Sequence, residues 1–245
     1  MNYLDILKFR YRLIIKYTGI IVMLVGVSII IPLFLLLFYP QDLDYAPYFI
    51  FTGLFGFLLG FLMYLLTKKQ KNNVSLTLQE GGIIVVFSWI IAIILSAIPF
   101  VWGLNMNWTH AIFEVVSGWT TTGLSVIDVT TTPSIYLFWR SFMQFLGGAG
   151  LAVIALSSIL PMQGLGLYQA EGRNDQLLPH VRRSTKMIMQ IYTGYTVTGT
   201  LLYYIFGMSF FDAINHSMAA ISTGGFSTVP KSIGQWDSIS IEVLQ

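Results

Sequence analysis

Two stretches of this 245-residue chain carry the residue types from which a cation path can be built. Thr120-Thr121-Thr122-Gly123-Leu124-Ser125 is answered by Ser222-Thr223-Gly224-Gly225-Phe226-Ser227, 102 positions later. Backbone carbonyl oxygens replace the hydration shell of a cation when they converge on it. Glycine permits dihedrals that turn successive carbonyls to one side, and a threonine hydroxyl accepts or orients without adding charge. The match runs backwards at the same offset: Asn107 falls on Ser209, Trp108 on Phe210, Ala111 on Ala213 and Ile112 on Ile214. Self-similarity at a fixed offset marks a repeated structural unit. Each copy is expected to be a re-entrant pore helix followed by a strand-like ion filter, with Gly123 and Gly225 as the paired filter glycines.

Few other groups are available for chemistry. There are no cysteines, which excludes disulfides and Cys-ligated metals. His110, His180 and His216 have no metal-ligand spacing. Gly123-Leu124-Ser125 superficially supplies a Gly-x-Ser, and His216 a base, for an intramembrane hydrolase. Against this, His216 falls on Glu114 in the repeat and so has a place in the pore without catalysis. Glu114, in the first pore segment, and Arg140, in the span that follows, are candidate pore-lining or bracing charges. Ionisable groups at membrane depth are costly and face the bundle interior in pairs. Arg140 has three readings: it sits by the ion path and repels cations, it braces Glu114 or Asp128, or it snorkels to the outer interface. Gly147, Gly148 and Gly150 in the same span suit close helix packing or a hinge.

The elements that position these residues follow from composition. The chain is 55% hydrophobic and 10% charged, against about 25% charged in soluble domains, so it is an integral membrane protein. A net charge of +2 is too small to suggest nucleic acid as a partner. A spanning helix needs about 20 apolar residues. Runs 17–39 (broken by Pro32), 46–66, 82–102 (with Pro99), 135–160 (stopped by Pro161) and 185–206 qualify. The first is too long for a signal-peptide core and is read as a retained helix. Lys8, Arg10, Arg12 and Lys16, then Lys68, Lys69 and Lys71, then Arg173, Arg182, Arg183 and Lys186 fall on one side. That places the N-terminus in the cytoplasm and both Thr/Gly stretches outside. Segments Trp108–Trp119 and Phe210–Ile221 would be roughly 18 Å long as helices, too short to cross. Asn107 and Ser209 are their expected N-caps, and Ser209 with Asp212 fits the capping-box pattern. Their apolar residues are not confined to one face, which argues against surface helices. Two crossings separate the copies, so the copies are parallel.

Beyond these features, Thr120–Gly123, Phe138-Trp-Arg-Ser-Phe-Met-Gln-Phe-Leu-Gly-Gly-Ala-Gly150, Tyr168–Gly172, Leu177–Arg182 and Ser222–Ser227 resemble the Trk-type potassium uptake proteins of the Trk/Ktr/HKT superfamily. The resemblance covers about residues 80–240. It implies an all-α integral membrane fold of parallel helix–pore helix–filter–helix repeats of the potassium-channel type, preceded by two extra transmembrane helices. The expected division is an N-terminal helix pair (1–75), a first repeat (80–161), a cytoplasmic linker (162–184) and an incomplete second repeat (185–245). The resemblance further implies potassium as substrate with no bound cofactor, and Thr121, Thr122, Gly123, Thr223, Gly224 and Gly225 as the potassium-binding filter positions. Gly123 retains the glycine associated in related transporters with potassium preference. Implied partners are the remaining C-terminal pore repeats, a cytoplasmic nucleotide-binding regulatory subunit, a second copy of the full transporter and the bilayer of the bacterial inner membrane. The family carries four repeats in one chain, whereas one and most of a second are present here. A non-conducting fragment or assembly subunit is therefore the alternative.

Overall fold

The structure, a computed structural model, describes residues 3–67, 76–150 and 177–244. No strand occurs among the described residues. Helix α1 (Tyr3–Ile30) gives way at Pro32 to a 3-10 segment, Ile31–Leu37. Proline lacks the N–H and its ring clashes with the carbonyl four residues back, so an α-helix cannot continue undisturbed. A second 3-10 segment, Pro40–Tyr45, leads into α2 (Ala46–Thr67). Glycines let these two helices approach. A Cβ on Gly26 would collide with the Phe57 nitrogen, and one on Gly60 with the Gly19 carbonyl. Gly53, Gly56 and Gly60 share one face of α2, the small-residue packing expected between membrane helices. Leu54, Leu58 and Leu62 are exposed on its other side, as suits a lipid-facing stripe.

Helix α3 (Leu78–Gly103) starts at a capping box made by Thr77 and Glu80. Glu80 also pairs with Arg10 of α1 at 3.2 Å. Short helices α4 (Trp108–Trp119) and α7 (Phe210–Ile221) have the expected bounds. Between them lie α5 (Ser134–Gly148) and α6 (Leu177–Ile205), and α8 (Ile239–Leu244) follows. Segments Leu4–Leu37, Pro40–Thr67 and Gln79–Gly103 are long and apolar enough to cross a membrane, matching the first three expected spans.

The last two expected spans differ. The run 135–160 does not form one helix: α5 ends at Gly148, and Gly150 adopts φ 69°. Three glycines in four residues weaken the helix, and a left-handed glycine just past the last turn closes it. At 15 residues, α5 is about 22 Å long, short of the ~30 Å hydrocarbon layer. Residues 151–160 lie outside the described ones. Helix α6 begins at Leu177, inside the segment read as a linker, and places His180 on a helix rather than in a loop. The rest of that linker, 162–176, is outside the described residues. At 29 residues α6 has the length to cross. Thr193, Thr196, Thr198 and Thr200 make it less apolar than the first three, and it is not among the segments that meet the apolar requirement.

The core joins Val22, Val25 and Ile29 of α1 to Phe49 of α2, Leu95 and Phe100 of α3, and Trp119, Tyr136 and Trp139 behind the Thr/Gly turns. One polar contact fixes the entry of α5. Asp42, buried in the linker between α1 and α2, accepts the Ile135 N–H through Oδ2 at 2.9 Å. The local N-cap residue is Pro133, which makes no side-chain cap, so a carboxylate 93 positions away caps the helix and faces its positive end. Asp42→Ala is expected to lower stability by about 1 kcal/mol, and Asp42→Asn by less. Thermal unfolding midpoints in detergent check this; unchanged midpoints in both variants would remove the cap from the account.

Candidate functional site

Both short helices end in the same way. Asn107 Oδ1 accepts the His110 N–H at 2.8 Å, and Ser209 Oγ accepts the Asp212 N–H at 3.0 Å. At the other end, the Thr121 N–H donates to Gly118 O and the Thr122 N–H to Ser117 O. The Thr223 N–H donates to Ala220 O and the Gly224 N–H to Ala219 O in the same pattern. These crossed bonds form a Schellman termination, which needs a left-handed residue just past the helix. Threonine fills that position in both copies, with φ 56° at Thr121 and 53° at Thr223. For a β-branched residue this is strained, at a cost of order 1–2 kcal/mol. Two residues on, Gly123 and Gly225 take φ 79° and 78°. Each copy thus departs its helix as an irregular single strand outside any sheet, with two left-handed residues separated by one other, a backbone in which carbonyls no longer alternate as they do in an ordinary β-strand. Beyond them, Ser125 Oγ accepts the Ile127 N–H and Ser227 Oγ the Val229 N–H, at 3.1 and 3.0 Å.

The copies also touch. A Cβ on Gly123 would collide with the Gly224 carbonyl oxygen, so Gly123 is required by contact as well as by φ. Helix α5 packs between α4 and α7. Gly147 lies against the Trp119 carbonyl and Gly148 against Ser222, with no room for a side chain at either. Close packing is therefore the role of these two glycines, while Gly150 ends the helix.

Glu114 and Arg140 form a buried ion pair, Nε to Oε1 at 2.6 Å, with exposures of 0% and 1%. Glu114 also accepts from the Ser125 hydroxyl and the Val126 N–H. The Arg140 guanidinium donates to Ser125 Oγ at 2.8 Å and to the Ser227 carbonyl at 3.3 Å, and lies 4.2 Å from the centre of the Phe226 ring. Of the three readings of Arg140, bracing is the one this geometry carries: it ties the exit of the first strand to the exit of the second. Asp128 is not its partner. The Asp128 carboxylate accepts from the Thr130 N–H and hydroxyl, which hold it below the usual carboxylate range, so it stays ionised beside the end of the first Thr/Gly segment. A cavity of about 310 Å³ opens there, lined by Gly123, Ser125, Asp128, Arg140, Gly225 and Ser227 among others.

Sequence reasoning missed Gln144. It lies one turn after Arg140, fully buried, and its amide donates to the Gly224 carbonyl at 2.8 Å and accepts the Phe226 N–H at 3.2 Å. An amide four residues after Arg140, and so on the same face of the helix, was the available signal. The Ser125–His216 pair needed for hydrolysis does not form. Ser125 is engaged by Glu114 and Arg140, while His216 Nε2 faces the Ser227 and Thr228 hydroxyls at 3.4 and 3.5 Å. No group of three metal-ligating side chains occurs among the described residues.

A model of the TrkH family, described as "Cation transport protein", matches residues 48–245. The chain belongs to the TrkH family. Among TrkH-family relatives, the Trk system potassium uptake protein TrkG of Escherichia coli K12 is 34% identical over 244 residues, 95% of this chain and 49% of its own length. TrkH of the same strain is 34% identical over 245 residues, covering 96% and 50%. An uncharacterized cation transporter of Methanocaldococcus jannaschii is 34% identical over 219 residues, covering 87% and 45%. The crystal structure of the potassium transporter TrkH from Vibrio parahaemolyticus superposes with a TM-score of 0.77 at 30% identity, covering 96% of this chain and 48% of that one. The chain thus spans about half the length of the TrkH-family relatives it matches.

Removing one partner of a buried ion pair leaves an uncompensated charge and costs about 3–5 kcal/mol. Arg140→Met and Glu114→Gln are each expected to destabilise strongly, and the double variant by less than the sum. Unfolding midpoints of the three variants measure this coupling; simple additivity would show that the pair is not a unit.

Proposed function

We propose that this chain is part of a Trk-type potassium uptake system and supplies two quarters of its filter. One observation carries the reading: two backbone strands with matched left-handed residues leave two capped pore helices of equal length. In this reading the backbone around Thr121, Thr122, Gly123, Thr223, Gly224 and Gly225 coordinates potassium, the transported ion, and no cofactor takes part. The Gly224 carbonyl already accepts from Gln144; a carbonyl oxygen has a second lone pair, so its contribution is set by where that amide holds it. The pore helices aim the partial negative charge of their C-terminal ends at the strands, which favours a cation without placing a full charge in the path. Arg140 spends its charge on Glu114 and acts as a brace.

Two strands surround an ion on only part of its circumference. Two further repeats from the rest of the transporter complete the ring in this proposal, supported by the chain spanning half of its relatives' length. The relatives are named as members of a Trk system, which supports further components. A cytoplasmic nucleotide-binding regulatory subunit contacting residues 162–184, and a dimer of complete transporters, are the components proposed. The protein sits in the bacterial inner membrane with its N-terminus in the cytoplasm, as the Lys and Arg placement favours. The division into helix pair, first repeat, linker and second repeat is part of the same proposal, with the second repeat opening at Leu177. Transport, rather than enzymatic turnover, is the activity.

The test is cation uptake by the completed transporter in cells lacking their own potassium uptake. Gly123→Ser adds a side chain where the Gly224 carbonyl stands, and is expected to lower potassium-over-sodium discrimination by about tenfold, equivalent to ~1.4 kcal/mol. Equal discrimination in mutant and wild type would refute the filter assignment. For orientation, a single cysteine at Asn174 should react with an impermeant reagent only in inverted vesicles; labelling from outside intact cells would reverse the topology.

A further inference from the structure

The peptide between Gly224 and Gly225 has the least intrinsic resistance to rotation in either strand. Glycine on both sides means that no Cβ resists rotation of the peptide plane, and Gly225 is already at φ 78°. The first strand has Thr122 where the second has Gly224. The reason for the difference is on α5: a Cβ on Gly224 would collide with the Gln144 carboxamide. The second strand has given up the side chain that would have stiffened it, and has received a buried amide instead. That amide grips two consecutive peptide planes, the Gly224–Gly225 plane through the Gly224 carbonyl and the next plane through the Phe226 N–H. Rotating the plane would break the bond to the Gly224 carbonyl and leave the amide donor unsatisfied at a site with no exposure, an outcome the protein interior strongly disfavours. It would also move the Gly224 oxygen from its place against Gly123 in the first strand.

We propose that Gln144 is a specificity-determining positioning residue, whose amide pins the Gly224–Gly225 peptide and so fixes which carbonyls the second strand presents to a cation. The inference rests on the filter reading of the two strands. Gln144 touches no ion; it acts through the strand. With the peptide pinned, the carbonyl ring keeps one geometry, and a smaller cation cannot recruit the Gly224 oxygen by rotating it inward. With the peptide free, the ring adapts to either cation and discrimination falls. The clamp comes from α5 of the first repeat and grips the strand of the second, so it is a contact between repeats.

Three variants test this in the completed transporter. Gln144→Met keeps the length of the side chain and removes both bonds. Amide hydrogen exchange at Phe226 should accelerate by tenfold or more, and the potassium-to-sodium uptake ratio should fall about tenfold through a gain in sodium affinity rather than a loss of maximal potassium uptake. Gln144→Glu keeps the shape and still accepts the Phe226 N–H, and measured above the pH at which its buried carboxyl ionises it cannot donate to the Gly224 carbonyl. It should retain protection at Phe226 and still lose discrimination, which also covers the case in which the methionine variant does not fold. The pair Gln144→Ala with Gly224→Ala refills the space without the amide and should stay unselective; recovery of selectivity there would show that packing alone is responsible and overturn the proposal. Unchanged exchange in Gln144→Met, or an unchanged uptake ratio in Gln144→Glu, would overturn it too. A wild-type transporter without cation preference would instead sink the filter reading, while the exchange rates would still decide whether the clamp exists.

Discussion

A guanidinium with almost no exposure has to be fully engaged where it stands, and Arg140 meets that demand by gathering three separate parts of the chain. Glu114 comes from the first pore helix, Ser125 from the exit of the first strand, and Ser227 from the exit of the second. Charge burial makes the arrangement all-or-none, since any strand that drifts away leaves donors or a carboxylate unsatisfied in a low-dielectric setting. The rest of the site is arranged to keep α5, which carries Arg140, in register with both pore helices. Gly147 and Gly148 let it approach the helix ends, and the Trp119 indole is held behind the first turn by Ser96 at 3.0 Å. The same face of α5 then serves both copies.

The two repeats are alike in backbone and unlike in what stabilises it. Caps, Schellman bonds, left-handed positions and the serine turn all coincide. Where the first copy has Glu114 the second has His216, which stacks edge-on against Trp236 at 5.3 Å and faces the Ser227 and Thr228 hydroxyls at 3.4 and 3.5 Å. Asp212 in the second copy reaches Thr228, a bond for which the first copy has no counterpart, because His110 stands at the equivalent position. Backbone geometry is therefore what the repeat preserves, and side-chain support is local to each copy. This is the pattern expected if function lies in carbonyl placement.

Much of this was legible in the sequence because it depends on spacing. The 102-residue offset located both pore helices to the residue, Asn107 and Ser209 declared their caps, and three apolar runs marked spans. Prolines told where α1 changes character. Other features depend on contacts between distant segments and leave no periodic trace. Asp42 looks like a loop charge until α5 is placed above it. Gln144 looks like a polar interruption until Gly224 lies against it. The end of α5 at Gly148 was hidden by the apolar residues that follow, since hydropathy registers a continuous run whether or not the helix continues. The left-handed Thr121 and Thr223 run against propensity, which is the kind of local violation that functional sites carry.

The Asp42 cap has a bearing on how separable the parts of this protein are. By repeat symmetry the first two helices are an accessory, outside the unit that recurs. By hydrogen bonding they are not, because the loop joining them supplies the group that completes the N-terminus of α5, and α5 is the helix that aligns both strands. The bond couples the helix pair to the repeat by the worth of one helix cap, ~1 kcal/mol. A pore transplanted without residues 1–75 would inherit the strands and lose the anchor of the helix that aligns them.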